Sequence, residues 1–303
     1  MTAPTYEAFP AESWRRRKSQ ESMLFGTVDR IVRNPQGLIA LLGLILLVLL
    51  AVFAGAIAKY GPITQSYPGA ARFLAPSWDH PFGTDELRRD LFARALFGLR
   101  SSLLISIGAV SIGSSIGITT GFIAGYAGGW TERIVLRIVD ALLAFPGLLA
   151  ALAILTILGA GNRNVAIAIA FFNLPAFARL SRAQMLGEKN KDYVKASQAL
   201  GAGPLRVIFG HIARNALPPL LTQVSLAMNG AVLLSAALAF LGLGDKPPAP
   251  SLGGILNASK SHLRTAWWYA LCPGAMLAFL LLCLNFLADA INEATSPYSR
   301  RKV

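Results

Sequence analysis

Long apolar runs alternate with short polar stretches along the chain, and the runs exceed what the half-buried elements of a water-soluble domain require. Six are recognised: Gln36–Ala58, Ser101–Ala124, Ile134–Leu158, Val165–Leu180, Ala216–Leu241 and Trp267–Ala288. A helix needs about 20 apolar residues to cross roughly 30 Å of hydrocarbon. Inside that layer every backbone polar group has to be bonded within the segment, which favours helices. The pattern predicts an all-α, polytopic membrane protein with six transmembrane helices. The fourth run is the weakest, because Asn173 and Pro175 interrupt it. Pro146 and Pro273 are expected to kink or start their helices, with neighbouring helices satisfying the freed carbonyls.

Composition agrees. Of 303 residues, 54% are hydrophobic and only 14% charged, and mean hydropathy is +0.53. A soluble domain carries about 25% charged residues. Net charge is +13, but the basic residues flank apolar spans, which points to a membrane rather than to nucleic acid. With the N-terminus inside, 18 of the 28 Lys and Arg residues fall in internal segments and 10 in external ones. That bias predicts both termini in the cytoplasm. The first span follows Arg15-Arg16-Arg17-Lys18, and Ala54-Gly55-Ala56 faintly resembles a cleavage site. The run is longer than the roughly 7–15 residues of a signal h-region, so it reads as an uncleaved span. The resulting organisation is an N-terminal tail over 1–35, a first helix over 36–58, an external loop over 59–100, a five-helix core over 101–292 and a C-terminal tail over 293–303. The core contains a long internal loop at 181–215.

Within the spans, Gly113, Gly117, Gly121 and Gly125 repeat every four residues. Small residues at that spacing let a second helix approach closely, so they read as helix packing. Asp140, Asn173, Asn229 and Asn285 lie in or near apolar spans. Intramembrane polar groups face a bundle interior or an aqueous cavity, which makes Asn173, Asn229 and Asn285 candidates for a translocation path. Asp140 and Asp289 sit near span ends, where an interfacial position is the alternative. Trp267, Trp268 and Tyr269 read as an interfacial aromatic belt. Cys272 and Cys283 cannot form a disulfide framework and are expected to pack as small hydrophobes.

Several chemistries lack their signatures. The chain has no GxxxxGK[ST] loop and no Gly-Lys pair, so the usual phosphate cradle is missing. Gly242-Leu243-Gly244 is a lone Gly-x-Gly. His80, His211 and His262 have no metal-ligand spacing, so no metal site is expected. Neither Gly-x-Ser-x-Gly nor His-Glu-x-x-His occurs. No catalytic residue, resident cofactor or enzymatic activity is therefore assigned.

The internal loop is the more informative segment. Its centre reads Tyr193-Val194-Lys195-Ala196-Ser197-Gln198-Ala199-Leu200-Gly201. The pattern suits a short helix stopped by Gly201, which tolerates the left-handed cap conformation. Pro204 suits the first turn of a second helix, Leu205–Arg214. The small residues Ala196, Ser197 and Ala199 would let another protein surface come close. An amphipathic surface loop is the plain alternative.

This stretch resembles the EAA loop of ABC importer permeases, whose pattern is Glu-Ala-Ala, three residues, then Gly. Lys195, Ala196, Ser197 and Gly201 occupy those positions, with Lys195 in place of Glu. Three further stretches resemble the dipeptide/oligopeptide/nickel branch of that family. Gly83-Thr84-Asp85-Glu86-Leu87-Arg88-Arg89-Asp90 is similar to its external Gly-Thr-Asp-x-x-Gly-Arg-Asp motif, with Arg88 in place of Gly. Arg137-Ile138-Val139-Asp140-Ala141-Leu142-Leu143-Ala144-Phe145-Pro146 resembles its third-span signature. Phe240-Leu241-Gly242-Leu243-Gly244, followed by Pro247-Pro248-Ala249-Pro250, is similar to its external Pro-rich turn. The resemblance covers about Asn34 to Pro297.

It implies a permease subunit of an ATP-driven importer in the bacterial inner membrane, forming half of a translocation pathway that works by alternating access. Tyr193, Lys195, Ala196, Ser197, Ala199, Leu200 and Gly201 would couple it to an ATPase. Gly83, Thr84, Asp85, Arg89 and Asp90 would form the periplasmic motif. The implied partners are a second related permease, ABC ATPase subunits that bind ATP and Mg, and a periplasmic or lipid-anchored solute-binding protein. Membrane lipid surrounds the chain, and no nucleic acid is involved. Dipeptide, oligopeptide, glutathione and nickel-chelate cargoes all remain open. An ion-coupled secondary transporter would instead work without an ATPase, and a membrane-embedded enzyme would turn over substrate alone.

Overall fold

A computed structural model describes residues 29–64 and 71–295. The basic run Arg15–Lys18 and the tail beyond residue 295 lie outside the described residues. Among the described residues the regular elements are helices, with no strand beyond one isolated Thr84–Asp90 bridge.

Helix α1, Pro35–Val52, starts where expected: Asn34 accepts a hydrogen bond from the Gln36 amide at 3.0 Å and Pro35 takes the first turn. Phe53 interrupts it, and a single turn, Ala54–Ile57, follows. Gly37, Ala40, Gly43, Leu47 and Ala51 form its buried stripe. A Cβ at Gly43 would sit 2.6 Å from Cys283 Sγ, so Cys283 fills the groove between α1 and the last helix.

Helix α2, Leu91–Ala127, begins ten residues before the expected Ser101 and shortens the loop expected over 59–100. Asp90 caps it, accepting from the Ala93 amide at 2.7 Å. Arg94 and Arg100 break the apolar run in the sequence. The helix continues through them because Leu91, Ala95, Leu96 and Leu99 are buried, Ala95 and Leu99 in a core with Leu47, Ala51, Val232 and Leu252, and Leu91 in one with Ile255 and Tyr269. At about 1.5 Å per residue its 37 residues outreach the hydrocarbon layer.

The third span is broken. Helix α3, Gly129–Leu143, and helix α4, Gly147–Leu158, meet at 93° across Ala144–Pro146. Pro146 supplies no N–H, and its ring disfavours helical backbone at Phe145. Helix α5, Asn162–Glu188, is the opposite surprise: the weakest apolar run is one continuous helix of 27 residues. Asn173 turns its Nδ2 onto the Ile169 carbonyl at 3.0 Å, so its polar end is met within the helix.

A short helix α6, Asp192–Ala199, follows. The expected separate helix Leu205–Arg214 is instead the wide-turned start of the next span. A π-helical stretch, Arg206–Ile212, runs into helix α7, Ala213–Phe240, with Pro218 and Pro219 inside. The expected loop 181–215 accordingly shrinks to the segment between Glu188 and Pro204. Helix α8, Leu252–Ser259, and helix α9, Trp268–Thr295, complete the chain. The largest core, around Ile169, Phe177, Ala227 and Leu238, gathers residues of α2, α4, α5 and α7.

Candidate functional site

The glycine stripe of α2 lies against α5. A Cβ at Gly113 would come within 2.6 Å of the Ala170 carbonyl oxygen, one at Gly117 within 2.6 Å of the Leu174 carbonyl, and one at Gly121 within 2.2 Å of the Ala178 carbonyl. At Gly125 the obstacle is Met185 Cβ, 2.9 Å away. Backbones in this contact leave no space for side chains, and dispersion between them holds the two long helices together.

The α5–α6–α7 connection emerges from one end of that pair. Lys189 Nζ donates to the Gly125 carbonyl at 3.0 Å, tying the end of α5 to the end of α2. Tyr193 donates its hydroxyl to Glu188 at 2.6 Å. Burial, then this bond, pushes the Tyr193 phenol up to about 12. Val194 is the one buried residue of α6. It packs into a core with Phe122, Met185, Val207, Ile208 and Ile212. One anchoring side chain fixes how the remainder of α6 is presented.

The helix stops by a complete Schellman arrangement. The Gly201 amide donates to the Gln198 carbonyl at 2.9 Å and the Ala202 amide to the Ser197 carbonyl at 3.1 Å, with Gly201 at φ +82°. Nothing lies within 4 Å of a Cβ built on Gly201. Its requirement for glycine is conformational, not steric crowding.

Lys195, Ala196, Ala199 and Leu200 are exposed, and Ser197 is half-buried. Tyr193, Ala196, Ser197, Leu200, Ala202, Arg206 and His211 line an open hollow of ≈ 580 Å³. Leu200 is 89% exposed, with Leu205 and Phe209 also exposed close by in sequence. Sequence reasoning passed over Leu205 and Phe209; an apolar residue directly after a Gly-Pro turn was the available signal.

The motif at 83–90 forms a buried polar hub. Asp85 is fully buried and accepts from Arg89 Nε at 2.6 Å and from the Leu87 and Arg89 amides, each at 2.8 Å. Asp90 caps α2 and pairs with His80 Nδ1 at 2.9 Å. Thr84 accepts from the Leu74 amide at 2.9 Å. Gly83 has φ +78°, and a Cβ there would strike the Leu74 carbonyl at 2.3 Å. Arg94 reaches the Pro62 carbonyl at 3.0 Å and the Pro248 carbonyl at 3.3 Å. It thereby joins the 59–64 segment, the motif and the Pro-rich turn. The sequence did not reveal Arg94 as part of this hub.

Tyr269 corrects the aromatic-belt reading. It is buried and donates its hydroxyl to Glu86. Only Trp267 of the three aromatic residues remains strongly exposed. The polar candidates in the spans separate. Asn229 Nδ2 donates to Asn285 Oδ1 at 2.8 Å, joining α7 to α9, whereas Asn173 lies on α5 and bonds its own helix. Among the described residues no cluster of three or more His, Cys, Asp or Glu side chains could hold a metal ion.

Residues 117–301 match the family of binding-protein-dependent transport system inner membrane components. Residues 22–76 match the N-terminal TM domain of oligopeptide transport permease C. The di/tripeptide transport system permease protein DppC of Pseudomonas aeruginosa (strain UCBPP-PA14) is 40% identical, over 87% of this chain and 88% of its own. The glutathione transport system permease protein GsiD of Pectobacterium atrosepticum is 36% identical, over 88% of this chain and 89% of its own. A structure of the MetNI methionine ABC transporter in an inward-facing conformation superposes with a TM-score of 0.55 at 20% identity, covering 66% of this chain and 94% of that one. That likeness concerns the fold. Sequence relatedness over most of the chain, together with the apolar helices and the shared fold, shows that it belongs to the binding-protein-dependent transport system inner membrane components, as a multi-pass permease subunit of an ABC importer and not an enzyme.

Proposed function

We propose that this permease carries short peptides inward and takes its energy from ATPase subunits that dock on α6 and the adjoining turn. The observation that carries the coupling assignment is the presentation of α6. One buried valine and a Schellman stop hold the helix rigidly between α5 and α7, while Ala196, Leu200 and Leu205 stay exposed beside an open hollow. An exposed leucine cluster on a rigid turn fits a protein partner better than water. Closure of the ATPase pair would push α6, and α5 and α7 would transmit the displacement to the pathway. Nucleotide and cargo would then bias one two-state equilibrium.

ATP and Mg belong to the partner subunits in this reading, and a second related permease supplies the other half of the pathway. An external solute-binding protein delivers the cargo. The short-peptide assignment rests on relatives named for dipeptide, di/tripeptide and glutathione transport. The distribution of basic residues supports both termini in the cytoplasm, an orientation in which α6 faces the ATPase side.

The test joins topology to coupling. After replacement of Cys272 and Cys283, a cysteine at Asn190 is expected to resist impermeant thiol reagents added to intact cells, and one at Ser77 to react. In the assembled complex, a cysteine at Ala196 is expected to cross-link to an ATPase subunit, and Ala196→Asp to uncouple hydrolysis from transport. External labelling at Asn190, or full transport by Ala196→Asp, would reject the assignment.

A further inference from the structure

Helix α3 differs from the other long helices. Val139 is its one buried residue. Two ion pairs join it to α5: Glu132 accepts from Arg182 Nε at 2.6 Å, and Asp140 from Arg179 at 2.6 Å. Those carboxylates lie eight residues apart on α3, about 12 Å of rise, whereas their arginines lie three apart on α5, about 4.5 Å. Both pairs thus converge on one turn of α5, at 179–182. The 93° elbow then sends α4 off at a right angle. The 12 residues of α4 rise about 18 Å and lead back to Asn162, which bonds Ser101 near the start of α2 at 2.8 Å, so the return crossing belongs to α4 and its links rather than to α3.

The exposed sector of α3 is itself divided. Trp130, Ile134 and Ile138 recur every four residues on one flank, each more than half exposed. Arg133 and Arg137 stand on the other flank, also exposed. Among the described residues neither arginine has an ion-pair partner, because Glu132 and Asp140 are taken by α5. Arg133 lies over the Trp130 ring, 5.7 Å from its centroid. An aqueous surface would favour polar groups where the isoleucines stand. A purely lipidic span would not tolerate the arginines. A helix lying in the boundary between acyl chains and headgroups satisfies both flanks.

We propose that α3 lies in the plane of the inner leaflet, with Trp130, Ile134 and Ile138 in the acyl boundary and Arg133 and Arg137 against the phosphates of anionic phospholipids. Charge complementarity selects the occupant: the two arginines are the unneutralised cations of the helix and the lipid phosphates are anions. The choice of leaflet rests on the orientation proposed above; the depth of the helix does not. In this position α3 is an interfacial strut that holds the α3–α4 elbow at one level of the membrane.

The test uses the cysteine-replaced full chain, in its assembled complex, in phosphatidylcholine vesicles with and without phosphatidylglycerol. Nitroxide labels at Ile134 and Ile138 are expected to be accessible to oxygen and shielded from a water-soluble nickel chelate. A label at Arg133 is expected to meet the chelate. Shielding of Ile134 and Ile138 from both agents would mean that protein covers this face, and accessibility to the chelate would mean water; either overturns the proposal. Retention of phosphatidylglycerol, counted by native mass spectrometry, is expected to fall on the order of tenfold in Arg133→Gln/Arg137→Gln. Unchanged retention also overturns it. Thiol labelling at Asn190 reports the leaflet separately, so an error in orientation shows there while the label depths stand.

Discussion

Arg88 adopts a left-handed backbone conformation, φ 65°, at the position where the motif that 83–90 resembles carries glycine. An L-residue with a Cβ is strained there by about 1–2 kcal/mol, and a β-branched one more so. Arg88→Gly is expected to keep or raise the thermal unfolding midpoint of the complex, and Arg88→Val to lower it. Equal midpoints for the two variants would contradict a backbone cause. Gly201 has the same requirement at the end of α6, with φ +82° and open space around it. Gly201→Val is expected to cost on the order of 1 kcal/mol or more and to weaken ATPase association. Gly201→Asn should retain more of it, because Asn enters the left-handed region more readily. If Val and Asn behave alike in co-purification, the cap does not set the presentation of α6.

At the scale of elements, the contact between α2 and α5 can be separated from helix propensity. Gly117 and Gly108 lie on the same helix, yet a Cβ at Gly117 meets the Leu174 carbonyl at 2.6 Å whereas one at Gly108 meets nothing within 4 Å. Gly117→Leu is expected to destabilise by roughly 1–3 kcal/mol through overpacking. Gly108→Ala is expected to be neutral or mildly stabilising. Detergent-resistant assembly, followed by size-exclusion chromatography over temperature, would distinguish them.

The turn from α5 into α6 has a titration signature. Burial and then the Glu188 bond favour the neutral phenol of Tyr193 and push it up from the ordinary 10.0 to about 12. Its contribution to stability is complete below pH 10 and is lost as pH rises from 10 towards 12, since the unfolded chain releases that proton first. The difference in phenolate absorbance between the native chain and Tyr193→Phe is expected to show this high midpoint. A midpoint at 10 would mean that the hydroxyl is free.

For the whole molecule, all-α architecture and membrane residence follow from the sequence alone. Backbone polar groups in hydrocarbon must bond internally, and long apolar runs report that constraint directly. The α6 stop and the glycine stripe were legible for a related reason: left-handed backbone and close helix contact both select small residues locally. Tertiary structure decided what depends on distant partners. Arg94 and Tyr269 look like an interrupted span and an interfacial aromatic residue. They become parts of a buried polar hub only when the carbonyls of Pro62 and Pro248, and the carboxylate of Glu86, are brought to them. Pro146 and Pro175 are the same residue type in neighbouring apolar runs. One ends a helix at a 93° elbow, while the other is carried through α5, which packs along α2. Proline removes one local hydrogen bond in both places, and the packing around it determines whether the chain turns or continues.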